Sequence, residues 1–126
     1  MIVALQGTKG FSDYSIFLRG MGVALRNMNR DSDTEFFVYS AGPGQINAFA
    51  VEFLNVNERS LKAYGIKTKF VRVPPRWLEE HIHTFDYVLY FSKPKESLAP
   101  IVDLADAKGI DAVSYTHLRA HETLMN

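Results

Sequence analysis

The sequence predicts an α/β three-layer sandwich built on a mostly parallel sheet of about five strands. Three observations predict it. Short β-branched and aromatic runs recur at Ile2–Leu5, Glu35–Tyr39, Ile66–Val73, Asp86–Phe91 and Ile110–Val113, each short enough to be a buried strand. Segments with apolar residues every three or four positions separate most of these runs, the period of a helix with one buried face. The first two runs end in glycine-containing turns that lead directly into such a helix. Strands that alternate with helices pair in parallel, with right-handed crossovers, helices on both faces and an expected strand order of 3-2-1-4-5.

In chain order, Ile2–Leu5 is apolar throughout, as a parallel strand covered on both faces requires. Gly7-Thr8-Lys9-Gly10-Phe11-Ser12 then turns the chain into a helix whose face is marked by Tyr14, Phe17, Leu18, Met21, Ala24, Leu25 and Met28. Ser12 or Asp13 is its expected N-cap, and Gly20 and Gly22 imply close packing on the sheet. After the second strand comes Ser40-Ala41-Gly42-Pro43-Gly44-Gln45, and then a helix expected from Ile46 to Tyr64, with Ile46, Phe49, Ala50 and Phe53 on its buried face. Gly65 is placed to end it as a C′ glycine. The third strand stops at Pro74-Pro75, and only a short helix or turn fits between Arg76 and His83. Asp86–Phe91 is the most hydrophobic strand, so Tyr87, Tyr90 and Phe91 are expected in the core rather than against a ligand. Leu98, Ile101, Val102 and Ala105 mark the last helix, closed by Gly109.

A chain of 126 residues with 47% hydrophobic content buries one core and has no room for two. Its fourteen basic and fourteen acidic side chains cancel, so no global field recruits nucleic acid or an anionic membrane. With no cysteine there is no disulfide framework, no thiolate metal site and no cysteine nucleophile, which fits a reducing compartment. Met1–Leu5 lacks the basic region of a secretory leader, and no run approaches about 18 apolar residues, the minimum for a membrane span. The expectation is a cytoplasmic protein that needs no cofactor and no metal.

Strand, glycine turn and helix together bring unpaired N–H donors and the positive end of a helix dipole against an anion, and a phosphate suits them best. Two such turns at the carboxyl ends of neighbouring strands make Gly7, Thr8, Lys9, Gly10 and Ser12 from the first, and Ser40, Gly42, Gly44 and Gln45 from the second, candidate ligand-binding residues. Ser92 and Lys93, at the end of the fourth strand, join them. Neither turn is a P-loop, since Gly44 is not followed by Lys and Ser or Thr. Two glycines also serve a sharp turn that holds no ligand. Trp77 is a candidate for stacking on a ligand base or for plugging a sheet edge. Lys69, Arg72 and Arg76 form a mild basic patch that reads as a solvated face.

The stretch from Ser40 to Phe53 resembles the loop and helix of the SLOG superfamily of nucleotide-binding Rossmann-like domains. That superfamily includes the DNA-processing A proteins, the lysine-decarboxylase-like phosphoribohydrolases and small bacterial and phage members. Gly7-Thr8-Lys9 is similar to the Gly-Ser/Thr-Arg/Lys turn that opens the small members, and Ala50-Val51-Glu52-Phe53 to their Ala-x-Glu-aromatic helix. Pro74, Pro75 and Trp77 match the Pro and Trp that follow their third strand. The likeness covers residues 1–113 and implies a Rossmann-like domain that binds a nucleotide or nucleotide-derived ligand; the two phosphate-suited turns, without a clear acid-base constellation, make binding without catalysis the expectation. A homodimer is compatible with it.

In the phosphoribohydrolases a Pro-Gly-Gly-x-Gly-Thr-x-x-Glu turn follows the fourth strand, whereas Ser92-Lys93-Pro94-Lys95-Glu96-Ser97 holds no glycine. Lys93 or Lys95 would then meet a phosphate as a point charge. The rival reading is a nucleoside-5′-monophosphate phosphoribohydrolase, an N-glycosidase, with Glu52 or Glu96 as the catalytic candidate. A third is a structural or interaction module whose turns stay empty. Ser114–Thr123 closely resembles a translated sequencing adapter, so 114–126 is expected to be an artefactual tail with little packed contact beyond a short extension of the last strand. His117 and His121 stand at helical spacing beside Glu122, an arrangement that suits a metal, but the adapter accounts for the whole string.

Overall fold

Five strands, β1 (Ile2–Gly7), β2 (Glu35–Ser40), β3 (Lys67–Arg72), β4 (Tyr87–Ser92) and β5 (Asp111–Thr116), lie parallel in the order β3-β2-β1-β4-β5. This is the order expected from the alternation of elements. The structure is a computed structural model that describes residues 1–29, 31–93 and 99–116. Leu5 of the central strand stands beside Ser40 on one side and Leu89 on the other. Because β1 and β4 are flanked on both sides, their side chains are covered above and below, and all six residues of β4 are buried.

Helices α1 (Tyr14–Arg26) and α2 (Gly44–Ala63) cover one face of the sheet, and α3 (Pro75–Glu80) and α4 (Pro100–Ala107) cover the other. The alternation of strand side chains sorts the core accordingly. Val3, Leu5, Val38, Leu89 and Phe91 pack with Phe17, Met21, Ile46 and Phe53, while Ala4, Val88 and Tyr90 pack with Leu78, Ile101 and Ala105. Gly20 allows the close approach its position suggested, since a Cβ there would stand 2.9 Å from the Phe91 ring and 3.1 Å from that of Tyr115. Leu18, read as part of the buried face of α1, is exposed; the contact stripe is narrower than the apolar pattern.

Both C-terminal glycines act as expected. Gly65 (φ +77°) and Gly109 (φ +71°) are left-handed, and each closes a pair of hydrogen bonds. Gly65 N–H donates to the Lys62 carbonyl and Ile66 N–H to that of Leu61, with the same pattern at Gly109 and Ile110. β1 runs further than its sequence suggested, continuing to Gly7, and β5 takes the short extension expected of the last strand, three residues past Val113, with Ser114 beside Tyr90 and Tyr115 beside Phe91. Tyr115 is fully buried and its ring stacks on Phe91 with centroids 5.5 Å apart. Among the described residues its hydroxyl has no hydrogen-bond partner, and burial pushes its pKa up to about 12. Glu96, Lys95, Leu98, His117, His121 and Glu122 lie outside the described residues. Among those described, no helix is long and apolar enough to cross a membrane.

Candidate functional site

The two glycine turns stand at the same end of the sheet on neighbouring strands, but they are built differently. In the first, Phe11 N–H donates to the Thr8 carbonyl at 3.1 Å, and the buried Phe11 ring anchors the turn on Phe91 at 5.2 Å. Thr8 N–H donates to the Phe91 carbonyl at 2.9 Å, and Lys93 N–H to Thr8 Oγ1 at 3.3 Å, so the turn is laced to the end of β4. The Lys93 side chain crosses Gly10, where a Cβ would meet its Nζ at 2.7 Å. A Cβ on Gly7 would fall on the Phe91 carbonyl oxygen and stand 2.5 Å from Ile46 Cδ1. Packing therefore accounts for that glycine. Of the two expected caps, Asp13 is the one used. It accepts from Ile16 N–H at 3.1 Å and from the Ser15 hydroxyl at 2.6 Å, which places a carboxylate where an anion at the start of α1 would sit. Ser12 is exposed.

The second turn closes on itself and leaves its helix open. The buried Ser40 hydroxyl donates to Asn47 Oδ1 at 2.6 Å and accepts from Gly42 N–H at 3.1 Å, and Asn47 Nδ2 donates to the Gly42 carbonyl at 3.2 Å. That ring ties the side chains of Ser40 and Asn47 to the turn. The residue at the N-cap of α2 is Pro43, which makes no side-chain capping hydrogen bond. The Asn47 N–H donates to the Pro43 carbonyl, so the amides of Gly44, Gln45 and Ile46 precede the intrahelical ladder. Gly44 and Gln45 are exposed, and a Cβ on Gly44 would meet nothing within 4 Å. Among the described residues, a helix of 20 residues thus presents a positive end that its own N-cap residue leaves uncapped.

From this end a groove of about 550 Å³ runs between α2 and the edge strand β3, lined by Gly44, Asn47, Ala48, Val51, Glu52, Asn55, Val56, Phe70 and Arg72. It exists because α2 carries two stripes. Ile46, Ala50, Phe53, Leu54 and Leu61 face the core, while Gly44, Ala48, Val51 and Asn55 recur at helical spacing along the groove. Val56 keeps 71% of its surface exposed. Arg72 is the cation of the lining and Glu52 its carboxylate. Tyr14 of α1 stands near Glu52, and burial first, then the neighbouring Glu52 carboxylate, raise the tyrosine's pKa.

The residues expected to share one site are divided by this geometry. Gly44 opens on the groove, Gln45 stands on the same helix start, and none of Gly7, Thr8, Lys9, Gly10 and Ser12 lines the groove. Ser40 and Gly42 shape the second turn from within, while Ser92 is buried in β4 and Lys93 sits over the first turn. Trp77 is already stacked, on Tyr39 at 5.3 Å and on His81 at 4.0 Å, which favours its role as a plug over that of a platform for a base. Among the described residues no group of three or more His, Asp or Glu could hold a metal. Sequence reasoning gave Val51, Asn55, Val56 and Phe70 no part in the site, naming Val51 only within the Ala-x-Glu-aromatic motif, and set Arg72 aside as solvated. The second helical stripe was the available signal for the first three, whereas Phe70 and Arg72 join them only through packing. No protein-family model, curated protein or solved structure matches the chain.

Proposed function

We propose that this domain binds a nucleotide-derived ligand whose phosphate sits on the N-terminus of α2 beside Arg72. One observation carries the reading: Gly44, at the start of a helix whose N-cap Pro43 supplies no capping hydrogen bond, lines the same groove as the Arg72 guanidinium, and backbone donors beside a guanidinium are what a phosphate takes up. The first turn is the poorer seat, because Asp13 already fills the start of α1 with negative charge. The likeness of Ser40–Phe53 to the SLOG loop and helix agrees with the choice of the second turn. Binding without catalysis is preferred to glycoside cleavage, since the groove holds one carboxylate and no second acid or base among the described residues.

Titration with inorganic phosphate and with adenosine 5′-monophosphate, followed by amide resonances of isotope-labelled protein, tests the placement. Gly44 and Gln45 should shift with either probe, and Arg72→Ala should weaken both by about tenfold, the value of one charge-assisted hydrogen bond. If those amides stay still at millimolar probe while the amides of Thr8 to Gly10 move, the phosphate has been put on the wrong turn.

A further inference from the structure

We propose that the outer edge of β3 is a docking strand for an extended segment of another protein, one that alternates apolar and acidic residues. The backbone supplies the first argument. Lys67 N–H donates to the Thr34 carbonyl and Val73 N–H to that of Ser40, both at 2.9 Å. In a parallel ladder alternate residues bond the same neighbour, so Lys67, Lys69, Val71 and Val73 turn their backbone groups towards β2. Those of Thr68, Phe70 and Arg72 point away from the sheet, and the strand order puts no strand beside them among the described residues. Pairing with β2 runs from Lys67 to Arg72 without a bulge, and no proline falls within β3. A bulge or a proline would blunt such an edge; this one carries lysine instead.

The two faces of the edge then fix the partner's chemistry. Strand side chains alternate, and Phe70, which packs with the core under α2, puts Thr68 and Arg72 on that side as well. There the groove of about 550 Å³ and two smaller ones of about 160 and 270 Å³ follow β3 from Ile66 to Arg72. Val51 and Val56 wall the groove and are themselves exposed. A strand added to β3 runs about 4.8 Å outside it and lays every second side chain against that wall, where apolar residues fit. On the opposite face Lys67 and Lys69 are exposed, so the side chains in between meet cations and are best acidic. Two lysines repel a second copy of the same edge and attract carboxylates, which selects a foreign acidic strand over self-pairing. Main-chain hydrogen bonds supply the affinity of such an addition and alternate side chains its selectivity. The docking uses strand backbone and no amide from the start of α2, so it stands or falls independently of the phosphate seat.

The probe is a capped peptide of alternating glutamate and valine, six residues long like β3, titrated into the whole isotope-labelled chain. The amide resonances of Thr68, Phe70 and Arg72 should shift saturably, and their exchange with solvent should slow. A peptide of alternating lysine and valine should bind about tenfold more weakly, because its charges turn attraction at Lys67 and Lys69 into repulsion. The glutamate peptide methylated on every backbone nitrogen keeps its charge but has no donors for the strand, and it should not bind. In the Lys67→Glu, Lys69→Glu double variant the preference between the two unmethylated peptides should invert. Equal affinity for those two peptides, binding that survives methylation, shifts confined to α2, or no saturable shift at millimolar peptide overturns the proposal. If the peptide-free protein instead sediments as a dimer with the amides of Thr68, Phe70 and Arg72 protected, the occupant of the edge is a second copy and the proposal fails.

Discussion

At the scale of single residues, the glycines of the two turns look alike in sequence and differ in the structure. Gly7 has a backbone carbonyl where its Cβ would go, held in the ladder between β1 and β4, and Gly44 has open space. Gly7→Ala is therefore expected to destabilise the fold by about 3 kcal/mol, the upper end for overpacking, because the obstacle is sheet backbone rather than the end of a flexible side chain. Gly44→Ala should leave stability unchanged or raise it by up to about 1 kcal/mol, the helix-propensity difference. Chemical denaturation of the two variants measures both, and similar losses at the two positions would show that Gly44 is also required by packing. Sequence showed that each turn needed glycine. It did not show why, since the Phe91 carbonyl lies 84 positions from Gly7 and becomes its neighbour only through the parallel pairing of the strands.

At the scale of elements, strand order and helix placement were legible because each element states its own period and ends on its own punctuation. The Schellman ends at Gly65 and Gly109 and the stop at Pro74-Pro75 are local chemistry. The character of each helix start was less so: both turns read as phosphate seats, and the difference lies in one residue each, Asp13 before α1 and Pro43 before α2. Asp13→Ala should cost about 1 kcal/mol through lost capping. Pro43→Asp should gain a similar cap and lose the conformational restriction of proline, about 0.4–1 kcal/mol, so that net stability barely changes. Its effect on phosphate should be large, since a carboxylate would then occupy the anion position. A Pro43→Asp protein that unfolds like the parent yet binds phosphate equally well would mean that the start of α2 is not the seat.

At the scale of the molecule, zero formal charge conceals an uneven edge. The order β3-β2-β1-β4-β5 leaves β3 on the rim, where Lys67 and Lys69 stand exposed and Lys69 lies 4.9 Å over the Phe37 ring. Cations along a free edge oppose pairing with another sheet, a sufficient reason for most of the basic patch. Arg72 differs in facing the groove that α2 makes with that edge. If the groove binds ligand, folding and binding are linked. At a hundredfold excess over its dissociation constant, adenosine 5′-monophosphate should stabilise the protein by about 2.7 kcal/mol, and a domain of this size should then melt about 10 °C higher. In the Arg72→Ala protein at the same concentration, a tenfold weaker site should give about half that shift. The same samples separate binding from turnover, because free base accumulates only if the N-glycosidic bond is cut. A melting shift that persists unchanged in the Arg72→Ala protein would place the ligand elsewhere, and one that decays as adenine appears would make the protein an enzyme.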